Sequence, residues 1–500
     1  MTKWMLCCLS AASLFCALNS CDSINDFSDN PDYRLSFSVD TLSFDTIFSS
    51  IGSTTKHFMV YNTNDEALRI EKIELANPSK SGFRINMDGR KGVQFSDIDI
   101  WKKDSLYVAV EVTVDPHGDN QPLVVEDSVL FYLNGIRYSV LLQAYGQDVH
   151  LFRGGYTIVH DTTLTADIPY LIYDSLKVDE GATLTVEKGA ILYMHDKAGL
   201  VINGTIKAQG TQDEPVMIRG DRLDYIELDV NLPYDRVPGQ WDGIRFGAES
   251  FDNEFNYVIV RNGVTGLNFC TSTPDRSKII IRNSQITNMN NNLLVAVNCL
   301  IEASGSEFTN ASDSTVALIG GKYKFTHCTI ANYKRIGNRN EAPCLVLSDR
   351  WRDGDNETLY ALQEADFENC IIDGSHSPDS TKLYGGEILF DTDEQKNSGD
   401  DATFNYRFNS CFLKTARLDN ERFTNCLFIK SPTYLKIGVE DDEYAFDFRL
   451  KNESAGIGQA DRAVAEQYPV DRYGVSRLNT AEGVSIGAYQ YVYQEEETKN

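Results

Sequence analysis

The chain has 500 residues, enough for two or three domains, and its 42 % hydrophobic and 24 % charged content is that of a folded protein. With 46 Lys and Arg against 73 Asp and Glu the net charge is −27, a field that repels nucleic acid and anionic lipid headgroups and argues against a nucleic-acid partner. Lys3 precedes an apolar run from Trp4 to Leu18, too short to cross a bilayer and suited to the core of a signal peptide over residues 1–20.

That run ends Leu18-Asn19-Ser20-Cys21. The tetrapeptide resembles the lipobox of bacterial lipoproteins. The resemblance implies lipidation at Cys21, which would become the mature N-terminus and anchor the protein in the outer membrane of a Gram-negative cell. No other stretch is long and apolar enough to span a bilayer, so the lipid is the anchor expected. Residues 21–32 carry four Asp and no basic residue, the composition of a solvated tether. They resemble the acidic segment that sends some lipoproteins to the cell surface, which implies surface exposure.

Residues 33–150 alternate without a period. Leu35–Val39 and Tyr107–Val112 put apolar side chains on every second position, Leu68, Ile70 and Ile73 do so with one break in phase, and Asn64-Asp65, Asn77-Pro78, Asp88-Gly89 and Asn134-Gly135 mark turns between such runs. About seven strands in this length predict an antiparallel sandwich. The order resembles the immunoglobulin-like domains of cell-surface proteins, and a spacer or docking role is expected.

From residue 151 to about 435 the strands shorten and Gly punctuates them. Between Val258 and Ile330 the sequence repeats. Ser284, Ser306 and Cys328 lie 22 residues apart, as do Ile286, Phe308 and Ile330, and Asn288, Asn310 and Asn332. A strand recurring at that period cannot bury its apolar face alone, whereas stacked copies can, so a parallel β-helix is predicted. The three Asn are expected to stack as an amide ladder. Beyond Asn332 the motif returns at Cys370, Cys411 and Cys426, and the steps of 42 and 41 residues from Cys328 to Cys370 and Cys370 to Cys411 fit either two coils or one coil carrying an insertion. Those Cys are read as small buried residues of a stack. No Cys-x-x-Cys or His pair exists, so no thiolate metal centre is expected. The Gly-punctuated coils and the element Gly239-Gln240-Trp241-Asp242-Gly243-Ile244 resemble right-handed parallel β-helix proteins of the pectin-lyase-like class. The fold class expected is therefore all-β, a right-handed parallel β-helix behind an antiparallel sandwich.

Residues 436–494, with Asp471-Arg472-Tyr473-Gly474 and Ile486-Gly487-Ala488-Tyr489, resemble the choice-of-anchor Q-type module that ends secreted bacterial β-helix proteins. An exposed strand edge needs a cap, and these residues are expected to close the end of the solenoid.

No reaction is legible. Pectin-lyase-like enzymes deprotonate uronates with Lys or Arg beside Ca²⁺, and β-helix glycosidases use paired carboxylates. Here Asp353, Asp355 and Glu357 are the Ca²⁺ candidates. Trp241, Trp351, Tyr323, Tyr333 and Tyr384 are candidates for stacking on sugar rings. The function expected is a binding surface for glycan or a partner protein. The alternatives are a polysaccharide lyase or glycoside hydrolase on the same scaffold, and a structural envelope protein without ligand. No cofactor beyond Ca²⁺ is implied.

Overall fold

The computed structural model describes residues 27–226, 232–378, 385–392, 403–416, 421–428, 433–440 and 443–495. They fall into two units, divided in the chain between Asp148 and Val149. Residues 1–26, with the expected signal peptide and Cys21, lie outside the described residues.

The first unit has two five-stranded sheets. One orders Leu35–Phe37, Lys56–Asn62, Ser105–Val112, Phe83–Met87 and Arg90–Gly92; the other orders Thr41–Phe48, Ile136–Gln147, Leu123–Leu133, Leu68–Leu75 and Gln94–Ile100. Strand alternation drives the layering, since inward residues of both sheets (Phe44, Phe58, Ile70, Phe83, Phe131, Val140) share one core. Asn134-Gly135 and Asp88-Gly89 close hairpins with positive φ at both turn residues, the geometry those dipeptides favour. Ten strands form where about seven were expected. One pairing departs from the antiparallel expectation: Thr41–Phe48 runs parallel to Ile136–Gln147, with a register shift between Gln143 and Tyr145.

The second unit winds through three parallel sheets of 11, 9 and 10 strands. One coil supplies Gln285–Met289, Leu294–Val297 and Leu300–Ser304 to the three in turn, and the next supplies Glu307–Ala311, Val316–Ile319 and Gly321–Thr326. Ile286 is directly opposite Phe308, and Phe308 opposite Ile330. All three are fully buried in one continuous core. The 22-residue period is thus one coil. Thr329–Asn332 pairs with Ile371–Gly374, which pairs with Phe412–Leu413, so the longer spacings are single coils with insertions.

The corner from the 10-stranded to the 11-stranded sheet has one construction in coil after coil. A left-handed residue (Asn283, Gly305, His327, Asn369, Ser410, Asn425) precedes Ser284, Ser306, Cys328, Cys370, Cys411 and Cys426. Each Ser or Cys donates to the carbonyl two residues back, as Ser306 Oγ does to Ser304 at 2.8 Å and Cys370 Sγ to Glu368 at 3.3 Å. Several also accept the N–H of their counterpart one coil earlier: Ser306 Oγ from Ser284, Cys370 Sγ from Cys328, Cys411 Sγ from Cys370. The column is small because it is crowded, and polar because it satisfies corner backbone groups.

The expected amide ladder is replaced by something else. Asn288 and Asn310 have φ of 62° and 63° and turn the chain out of the 11-stranded sheet, a conformation that Asn tolerates. Their amides bond main chain rather than each other: Asn288 Nδ2 to Arg236 O at 2.7 Å, Asn310 Oδ1 from Tyr333 N at 3.0 Å, and Asn332 Nδ2 to Ala311 O at 2.8 Å.

The C-terminal residues lie along the side of the solenoid, not across its end as the sequence suggested. Ala331, Ile371 and Phe412 point out of the 11-stranded sheet, and Tyr434, Phe448, Leu450, Ile486, Ala488, Tyr489 and Tyr491 cover them. The seam is polar at its edge: Gln285 Nε2 donates to Tyr489 Oη at 3.0 Å, Ala488 N to Thr329 Oγ1 at 3.0 Å, and Gly487 N to Asn369 O at 2.8 Å. Gly487 has φ of 98°, and a Cβ there would sit 2.6 Å from Ile371 Cδ1, so no other residue fits. Arg477 is buried in the seam and donates to Ala488 O at 2.7 Å; burial lowers it to about 10.

Candidate functional site: an apolar strip and a buried charged corner

Insertions settle on two of the three corners. Residues 333–344, and of the next coil 375–378 and 385–387, lie at the corner into the 9-stranded sheet, and residues 349–361 leave the corner out of it. The 9-stranded sheet is therefore bordered by inserted chain on both sides, the placement expected of a binding face.

Its outward column changes character along the solenoid. In the early coils it holds Lys177, Val201, Arg245 and Asn268; in the last four it holds Val295, Ala317, Val346 and Leu389, in register. Their neighbours Leu294, Ala296, Val316, Leu318, Leu345, Leu347 and Ile388 fill the interior core, which leaves the four outward residues half-buried. The next outward column begins Val297 and Ile319, buried yet outside the interior core. Four consecutive aliphatic side chains on an outer face contribute nothing to the interior, and an outward apolar strip is characteristic of a contact surface.

The hairpin Arg350–Asp353 and Asn356–Leu359 stands at one border. It presents Trp351 at 37 % exposure and is tied back by Arg352, which bonds Asp391 Oδ2 at 2.9 Å and Glu357 Oε2 at 3.1 Å. At the other border is a buried charged cluster. Glu387 has no exposed surface and accepts from Arg339 Nη2 at 2.6 Å, Cys344 N at 3.1 Å and His376 N at 2.7 Å. Asp373, equally buried, accepts from Tyr333 Oη at 2.5 Å and lies 3.5 Å from Lys414 Nζ. Burial pushes the Asp373 carboxyl up to about 6, opposed by Lys414 and the Tyr333 hydroxyl. Burial, then Arg339, lowers His376. The two carboxylates hold inserted residues against the corner: Arg339 also reaches Asn332 O at 2.7 Å and Ser375 Oγ at 2.5 Å.

The sequence candidates distribute unevenly. Trp241 is wholly interior, donating Nε1 to Arg261 O at 2.9 Å, and Tyr323 is interior too, its hydroxyl on Ala296 O at 3.2 Å. Tyr333 is buried against Asp373. None of these three can stack on a sugar, because each ring is packed within the protein. Trp351 is exposed at the border, and Tyr384 lies outside the described residues. Asp353 and Asp355 flank the hairpin turn at Gly354, while Glu357 points to Arg352 and Arg350. Among the described residues no group of three or more His, Cys, Asp or Glu is placed to hold a metal ion. Arg339, Asp373, Glu387 and Lys414 were not anticipated. One signal for Asp373 was available: it is opposite Ala331, at an outward position where a carboxylate is out of place.

No family model matches the sequence, and no curated protein matches it. Among solved structures, the catalytic domain of a GH87 α-1,3-glucanase in complex with tetrasaccharides aligns over 75 % of this chain and 90 % of its own, at 10 % identity and a TM-score of 0.21. A PapD-like domain of human CEP192 aligns over 25 % of this chain and 92 % of its own, at 12 % identity and a TM-score of 0.17. A family 123 glycoside hydrolase from Clostridium perfringens aligns over 24 % of this chain and 30 % of its own, at 8 % identity and a TM-score of 0.17. Scores at this level carry no argument about function.

Proposed function

We propose that the protein is a lipoprotein of the Gram-negative outer membrane, anchored through Cys21, in which an immunoglobulin-like sandwich precedes a right-handed β-helix with a choice-of-anchor-type C-terminal module. The β-helix presents the outer face of its 9-stranded sheet to a glycan or a partner protein. The observation behind this reading is the column Val295, Ala317, Val346, Leu389, flanked by inserted chain and free of carboxylates. A chain with net charge −27 favours neutral over acidic ligands.

The test is binding to beads carrying neutral and acidic polysaccharides, and to a cell-surface protein extract, by wild type and by Val346→Asp. A charge in the strip should abolish a specific interaction that wild type shows. Equal binding by both would place the interaction elsewhere. For the anchor, palmitate labelling should occur in wild type and vanish in Cys21→Ala; labelling that persists removes the lipoprotein assignment.

A further inference from the structure

Cys411 and Cys426 stand directly opposite each other on the last two coils, because Phe412 pairs with Leu427 in parallel register. Neighbouring strands are about 4.8 Å apart, within the Cα separation that a disulfide spans. Both side chains occupy the same column and point the same way: Cys411 Sγ bonds Asn409 O and Phe367 O, and Cys426 Sγ bonds Thr424 O and Phe408 O, at 3.3 to 3.4 Å. The pairs 328 with 370 and 370 with 411 share this geometry, but all three of those thiols are fully buried. Cys426 is partly exposed, so an oxidant reaches the column there. The Cys426 thiol is also held below the usual range, chiefly by its hydrogen bond to Cys411, which favours the reactive thiolate.

We propose that Cys411 and Cys426 form a redox-active pair that staples the terminal coil to the one before it. The oxidant is a small disulfide. The Cys426 thiolate attacks one of its sulfurs and expels a thiolate, leaving a mixed disulfide on Cys426. Cys411 then attacks Cys426 Sγ, losing its proton to the second departing thiolate. One external disulfide is reduced to two thiols, and two protein thiols become one bond. The last strands of the solenoid sheets, Phe423–Thr424 and Leu427–Phe428, are two residues long each, so a covalent tie at this place fastens the coil with the shortest strand pairings. The inference is independent of the binding reading.

The full chain is incubated with oxidised glutathione under native conditions, free thiols are blocked, and peptides are mapped without reduction. Wild type should yield one cross-linked peptide pair joining Cys411 to Cys426, lighter by two hydrogens. Cys411→Ser should instead trap glutathione on Cys426, and Cys426→Ser should give neither product. Serine fits the column, as Ser284 and Ser306 show, so both variants should fold. A bridge between Cys370 and Cys411, a permanent glutathione adduct on Cys426 in wild type, or unreacted thiols at both Cys411 and Cys426 would each overturn the proposal.

Discussion

Replacing Phe308 with Ala tests the coil assignment at its centre. The ring is fully buried, has Ile286 and Ile330 as its register partners on either side, and meets Phe325 edge-on at 5.8 Å and 68°. Removing a buried aromatic costs about 3–5 kcal/mol, including the cavity left behind, and the Phe325 contact puts this site toward the upper half of that range. A solenoid is held by nearest-neighbour interfaces, and Phe308 serves two of them. The lesion should therefore lower the denaturant midpoint and also broaden the transition as the coils on either side decouple. Guanidinium denaturation of the full chain, followed by tryptophan fluorescence with Trp241 as the buried reporter in the solenoid, gives both quantities. Phe308→Leu is the control and should cost less than about 1.5 kcal/mol. A cost below about 1 kcal/mol for Phe308→Ala, with an unchanged slope, would refute the stacking described here.

Asn310 supplies a left-handed corner and a bond to Tyr333 N, so Asn310→Ala should cost about 2–3 kcal/mol and Asn310→Gly clearly less; equal costs would mean that φ is unimportant there. Asp373 is raised from 3.8 to about 6 in the folded state, so the stability tied to its protonated form is complete below about pH 4 and lost as pH rises through 6, by about 3 kcal/mol. Asp373→Asn should remove that segment of the stability profile, and parallel profiles of variant and wild type would contradict the assignment. Arg339→Met leaves Glu387 buried without its cation and should cost about 3–5 kcal/mol, while adding Glu387→Gln, which removes the charge but keeps an acceptor for the Cys344 and His376 N–H groups, should recover most of the loss; a single variant as stable as wild type would show that water reaches Glu387.

The solenoid was legible because its residues recur at identical spacing on one sheet, and the inward position was legible with it: Tyr323 falls 22 residues after inward Ile301, which already argued against an exposed ring. The apolar strip was legible in principle. Leu294-Val295-Ala296-Val297, Val316-Ala317-Leu318-Ile319 and Leu345-Val346-Leu347 are unbroken apolar runs, the pattern of strands that bury both faces. The same holds for Ile371-Ile372 and Phe412-Leu413, whose outward members are what the C-terminal residues cover. The charged corner was legible only in part. Asp373 and Lys414 are 41 residues apart, the spacing of Cys370 and Cys411, but Arg339 and Glu387 come from insertions, and no spacing ties those two to the corner until the chain is wound.

The seam on the 11-stranded sheet sets an order of events. Gln285 waits for Tyr489, 204 residues later, and Thr329 waits for Ala488. Emerging N-terminus first, the chain completes the strand at Ile371 before residue 486 arrives. During that interval Ala331, Ile371 and Phe412 face water in a row, a sticky flank on an otherwise finished rod. A chain truncated before Tyr434 would keep that flank for life, so premature termination should yield aggregates rather than a shorter working solenoid.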